Sequence, residues 1–223
     1  MKRMRWWPAA KRLAAPLGTL ECDILLERPL EQPLPAPVPS LEVTLRQAGE
    51  ADLDLVCAHY AEDPWLFLGE GRDERGRRES GRSAYLDRLR RGERCFIAMH
   101  GGEIAHLNWV CFGWGDAVPG HPIRLREGEA YTTDALTPPA FRGRGLHAFV
   151  LHAMLEHARS RGVRRAFTLA NLDRAGSHGG LATLGWRECG RVIHLTRRGR
   201  SVPWIVARRG FVEPLFRAER IDA

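Results

Sequence analysis

The residues of this chain best suited to chemistry form one run, Thr137 to His147, which reads T-P-P-A-F-R-G-R-G-L-H. Pro138 and Pro139 must stop any strand that reaches them, because proline cannot donate to a ladder. Gly143 and Gly145 allow backbone conformations closed to other residues and let a ligand come close to the main chain. A helical pattern follows, so the N–H groups at its start lack partners and carry the positive end of the helix dipole. Together these features predict an anion cradle suited to a phosphate or pyrophosphate. Arg142 and Arg144 add charge-assisted donors. The G-K-S/T ending of a P-loop is absent and G-x-G-x-x-G is not completed, so neither nucleotide fingerprint is met. R-G-R-G also occurs in disordered nucleic-acid binders, but here it lies between a predicted strand and a predicted helix.

The flanking pattern supplies the elements that would position this run. Glu127–Leu136 reads as a strand, and Gly145–Arg161 carries an apolar stripe through Leu146, Phe149, Val150, Ala153, Met154 and Ala158. Upstream, Leu41–Arg46 alternates as a strand, a helix opens at Gly49–Asp52 and runs to about Tyr60, and Ser83–Arg91 is helical. Arg94–His100 and Glu103–Phe112 are strands joined by Gly101-Gly102, a dipeptide suited to a hairpin. Downstream come a strand at Arg165–Leu169, a short helix at Arg174–Leu184, and strands at Cys189–Thr196 and Val202–Ala207. Leu20–Leu30 reads as a further short strand. The decapeptide Glu31–Ser40 holds four prolines and is read as an extended linker. The division is therefore residues 1–40, a basic arm with a strand and a Pro-rich linker, and residues 41–223, a mixed α/β domain with helices on both faces of its sheet.

The chain has 223 residues, 44% apolar and 27% charged, enough for a buried core and unlike a disordered chain. A net charge of +7 favours anionic partners: phosphorylated cofactors, acidic carrier proteins, nucleic acid or anionic lipid. No nucleic-acid recognition motif accompanies that charge. The five cysteines are scattered without a C-x-x-C pair, which argues against a disulfide framework or a metal site and fits a reducing cytoplasm. No run approaches a membrane span, and Pro8, Lys11 and Arg12 interrupt what would otherwise resemble a signal peptide. Trp6 and Trp7, with the basic residues around them, leave interfacial membrane attachment open.

The run F-R-G-R-G-L resembles the coenzyme A pyrophosphate loop of the GNAT (N-acetyltransferase) superfamily. That loop reads Arg or Gln, two residues, Gly, one residue, then Gly or Ala. Arg142 and Gly145 match, and His147 stands where the small residue is usual. The wider T-x-P-x-F-R-G-x-G-L is similar to one variety of the family. Asn171 after the next strand, and Gly185-Trp186, are similar to later parts of its cofactor core. The resemblance spans about residues 41–200 and implies a mostly antiparallel GNAT sheet with flanking helices. It implies an acyl-CoA-dependent acyltransferase, most simply an N-acetyltransferase, acting by direct attack of an acceptor amine and using no metal. The donor would be acetyl-CoA or another acyl-CoA. Leu136 and Thr137 would pair with the pantetheine arm between two splayed strands. Main-chain N–H groups of Arg142, Gly143, Arg144, Gly145, Leu146 and His147 would hold the pyrophosphate, and Asn171 would lie beside the pantetheine.

Family members commonly use a carboxylate on the fourth strand to accept the amine proton. Asp134 is nearest, on the face that alternation assigns to Thr132 and Leu136, with Glu129 farther off; Asp134 suits a structural role equally. The tyrosine that commonly protonates the departing thiolate is replaced by Leu181. Ser177 or His178 could substitute from the glycine-containing segment 171–185. His106, Asn108 and Trp109 face either an acceptor pocket or the core, and Cys111 reads as a packed thiol. Three further readings stay open: an acyl-CoA-binding or regulatory module without turnover, a donor carried on acyl carrier protein, and a homodimer built through the arm. The acceptor side, drawn from segments 63–94 and 113–126, carries no readable code.

Overall fold

The computed structural model describes residues 7–31, 36–61, 81–112, 125–172, 181, 182, 184–197 and 200–207. In chain order these form α1 (Trp7–Ala14), β1 (Thr19–Pro29), β2 (Thr44–Ala48), α2 (Leu53–Ala61), α3 (Gly81–Arg90), β3 (Arg94–His100), β4 (Glu103–Phe112), β5 (Glu129–Leu136), α4 (Leu146–Ser160), β6 (Arg165–Asn171), β7 (Arg187–Arg197) and β8 (Arg200–Ala207). The helix expected at Arg174–Leu184 lies mostly outside the described residues, as do Ser177 and His178.

One mixed sheet of eight strands, in the order β2-β3-β4-β5-β6-β1-β7-β8, runs through the molecule. Every neighbouring pair is antiparallel except β5 and β6. Adjacent residues of β3 show how its two faces are covered. Phe96 and Ala98 pack with Val150, Leu151, Met154, Leu155 and Ala158 of α4. Ile97, between them, packs with Val56 and Tyr60 of α2 and Tyr85 of α3. Period-2 alternation in the strand and a 3.6-residue stripe in each helix give this three-layer arrangement.

The strand expected in an arm lies inside the sheet instead. β1 pairs with β6 from Asp23↔Asn171 to Pro29↔Arg165, and on its other edge with β7 from Thr19↔Thr196 to Glu27↔Arg187. Ile24, Leu25 and Leu26 are all buried, as a strand covered on both faces requires. Pro29 closes the strand. The proline-containing stretch 36–40 then runs to the cradle, where the Ser40 N–H donates to the Arg144 carbonyl at 3.0 Å.

A second departure is α1, where the sequence shows no period. Eight residues with a proline near the start carry too short a stripe to read. The Trp7 side chain is buried, which argues against its lying free for a membrane interface. No helix among the described residues is long and apolar enough to cross a membrane.

Candidate functional site

β5 and β6 are paired in parallel only from Glu129↔Arg165 to Thr132↔Thr168. At the last pair the Thr168 hydroxyl donates to the Thr132 carbonyl at 2.9 Å. Beyond it β5 continues to Leu136 without β6, so a gap opens toward Thr137. On its other edge β5 is irregular. Leu107 faces Leu136 and Trp109 faces Thr133, so Asp134 and Ala135 together stand opposite Asn108. This is a bulge, and Asp134 at its centre has φ +53°. A short polar side chain tolerates that left-handed conformation better than most.

The bulge corrects the expected direction of Asp134. Alternation would place Ala130, Thr132, Asp134 and Leu136 on one face. Ala130 instead belongs to the cluster under α4 and Leu136 to the cluster under α2 and α3. Asp134 thus parts company with Thr132 and turns to the α3 side, where Arg88 Nη1 donates to its Oδ2. The same guanidinium bonds Glu93 Oε2 at 2.7 Å and lies 4.0 Å over the Trp109 ring. Burial opposes the charge on Arg88, but Asp134 and Glu93 outweigh it and raise the pKa. Trp109 donates its indole N–H to the Tyr60 hydroxyl at 3.0 Å, which places it in the core. Cys111 is a packed thiol 3.2 Å from Glu93 Oε2, its pKa pushed well up by burial first and Glu93 second. None of the five cysteines is in a disulfide.

After Leu136 the chain makes a short 3-10 turn at Pro139–Phe141 and enters the glycine loop. Gly143 and Gly145 take φ +75° and +76°, the left-handed region that glycine enters at little cost. Gly145 is the N-cap of α4. Arg142 N–H donates to Pro139 O at 3.3 Å. Among the described residues, no backbone acceptor faces the N–H groups of Gly143, Arg144, Gly145, Leu146 and His147. Those groups, the dipole of a fifteen-residue helix and the exposed Arg142 and Arg144 are an arrangement chemically suited to anionic oxygens. Arg142 Nε also donates to the Thr137 carbonyl at 3.0 Å, tying the loop to the end of β5. Asn171 closes β6 opposite Asp23 of β1. Leu181, at the position where a tyrosine is common, is buried in the α4 cluster.

Two histidines meet beside Thr137. His106 of β4, fully buried, has Nδ1 2.7 Å from Thr137 Oγ1. Its ring lies 5.3 Å from that of His147 in the first turn of α4. Burial lowers the His106 pKa well below the usual imidazole value, helped by His147 and then His59. Burial also lowers His147, to about 4. The unfolded chain takes up this proton near pH 6.5 and the folded chain only near pH 4, so the stabilisation is complete above 6.5 and is lost as the pH falls to 4. For His147 the loss amounts to at most about 3 kcal/mol. Urea unfolding at pH 7 and pH 4.5 should show a smaller acid penalty for His147→Gln than for the parent. An equal penalty would show that the ring is not buried as described.

The family model described as "Acetyltransferase (GNAT) family" matches residues 58–185, more than half of the chain. Among solved structures, a GNAT-family acetyltransferase from Colwellia psychrerythraea is 15% identical with a TM-score of 0.55, over 78% of this chain and 56% of that one. A GCN5-related N-acetyltransferase from Sphaerobacter thermophilus is 17% identical with a TM-score of 0.55, over 90% of this chain and 57% of that one. A ribosomal-protein-alanine N-acetyltransferase from Brucella melitensis is 20% identical with a TM-score of 0.53, over 73% of this chain and 96% of that one. The chain thus spans less than two thirds of the first two, and at these identities the likeness is one of fold. No curated protein matches the sequence. The family match, on a sheet whose parted strands lead into a loop of unpaired N–H groups before α4, establishes that this chain belongs to the GNAT acetyltransferase family.

Proposed function

We propose that the protein transfers an acyl group, most simply acetyl, from coenzyme A to the amine of an acceptor by direct attack. The observation that carries this reading is the row of N–H groups from Gly143 to His147 at the head of α4, which no backbone acceptor faces among the described residues. A diphosphate there gains main-chain donors and the helix dipole without displacing an existing bond. The thioester arm would then run along the gap that opens beyond Thr132 and Thr168. The neutral amine attacks the thioester carbon; the C–N bond forms, the C–S bond breaks, and the electron pair leaves on sulfur. The bulge takes an extra residue of β5 out of the ladder, and a main-chain N–H there, aimed at the thioester oxygen, would stabilise the oxyanion.

Asp134 is the candidate acceptor for the amine proton. Its side chain is 27% exposed while tethered to Arg88, so part of the carboxylate is open to solvent. That tether equally supports a structural carboxylate. The test is coenzyme A thiol release from acetyl-CoA with a panel of amines. Amine-dependent release is expected, and Asp134→Asn should lower turnover at saturating donor by about 10²-fold or more if it is the base. Unchanged turnover in that variant would leave Asp134 a structural role only.

The buried Leu181 and the ion-paired Asp134 favour a second reading, an acyl-CoA-binding module without turnover. Thiol release that depends on an amine would eliminate it. The net charge of +7 supports a variant in which the donor arrives on an acidic carrier protein. Saturation with coenzyme A rather than carrier thioester separates the two donors.

A further inference from the structure

We propose that His106 is a positioning residue for Thr137, holding its hydroxyl so that the O–H donates to the donor sulfur as the acyl group leaves. The inference rests on the acyl-transfer reading above. His106 Nδ1 is 2.7 Å from Thr137 Oγ1, while His106 Nε2 is buried without a hydrogen-bond partner. The ring that faces it belongs to His147, whose Nδ1 is also buried and unpartnered. His59 contributes a further electrostatic push against a charge on His106. A neutral imidazole has one N–H. An orphaned buried donor is rarer and costlier than an orphaned lone pair, so the proton belongs on Nδ1 and Nε2 carries the lone pair. Thr137 Oγ1 is then the acceptor of this bond, and its own single proton is left to point elsewhere.

Where it points follows from the strand. Thr137 directly follows β5, beyond the last β5–β6 pair, and is only half-buried. Its carbonyl already accepts from Arg142 Nε, and with Oγ1 accepting from His106 the hydroxyl proton is the one donor its side chain has left to offer. Expulsion of a thiolate places a full negative charge on sulfur, and a hydrogen bond to a charged acceptor is among the stronger ones. Thr137 keeps its proton throughout. The thiolate is protonated from solvent, and the proton lost by the amine returns to solvent through its acceptor, Asp134 in the reading above.

The test uses coenzyme A itself, so it needs no acceptor: the pKa of the bound thiol, followed by thiolate absorbance in the ultraviolet. In the parent complex it should lie below that of free coenzyme A by about one pH unit. Thr137→Val, nearly the same shape, should bring it back to the free value, and Thr137→Ser should keep it low. His106→Leu should also raise it, whereas His106→Asn, which keeps a side-chain N–H, should hold it down. A merely structural His106 would move stability without separating Leu from Asn in this readout. The same thiol pKa in parent, Thr137→Val and His106→Leu overturns the proposal even if coenzyme A binds. Failure of the parent to bind coenzyme A is a different result, because it removes the acyl-transfer reading first and this inference with it.

Discussion

Gly145→Glu is expected to weaken acetyl-CoA binding by at least about 100-fold while the protein remains folded, as isothermal calorimetry would show. The substitution has two effects, one on the fold and one on binding. Gly145 sits at φ +76°, where a side chain costs about 1–2 kcal/mol. A Cβ there would meet Pro39 Cα at 3.7 Å and the Val38 carbonyl at 3.8 Å, ordinary contact distances, so crowding does not decide the outcome. Charge decides it. A carboxylate at the N-cap of α4 occupies the donors meant for the diphosphate and repels that group. Repulsion at close range, together with the loss of the N–H donors the carboxylate occupies, gives the ~2.7 kcal/mol that a hundredfold loss requires, while the strain lowers folding stability. Gly145→Ala brings the strain without the charge and should cost no more than about tenfold. Equal binding by the parent and the Glu variant would mean that the loop is not the cradle.

Removal of residues 1–31 should leave no cooperatively folding protein. β1 lies between β6 and β7, and its loss would leave the facing edge of each neighbour unpaired and split the sheet. It would also strip Ile24, Leu26 and Leu30 from the main cluster under α4, and Leu25 from the smaller cluster with Cys111, Tyr131, Phe167 and Cys189. Each such side chain is worth about 1.5–3 kcal/mol when fully buried. Three or four of them match the whole stability of a typical domain. Ile24→Ala, a milder change, should cost about 2–5 kcal/mol in urea unfolding. A truncated protein with a normal unfolding transition would show that β1 only decorates the sheet.

The sequence by itself determined the local parts of this protein. β3 and β4 lie where alternation and the Gly101-Gly102 turn put them, because a hairpin depends on neighbouring residues alone. α4 and the glycine loop ahead of it were equally plain, since proline, glycine and a helical stripe act within a few residues of one another. The α1 helix was not legible, being too short for a period. Tertiary structure decided the rest. A strand pattern at Leu20–Leu30 states that a strand forms but not which edges it will meet, and a proline-rich stretch after it suggests a separate arm. Pairing with β6 and β7, more than a hundred residues away, is a matter of which open edges the remaining chain presents. Asp134 is the same case on a smaller scale. Alternation assumes an unbroken ladder, and one extra residue opposite Asn108 turns the carboxylate toward Arg88. His106 and His147 came together for the same reason: the contact joins a strand to a helix 41 positions on, and only packing of α4 on the sheet brings those rings within 5.3 Å.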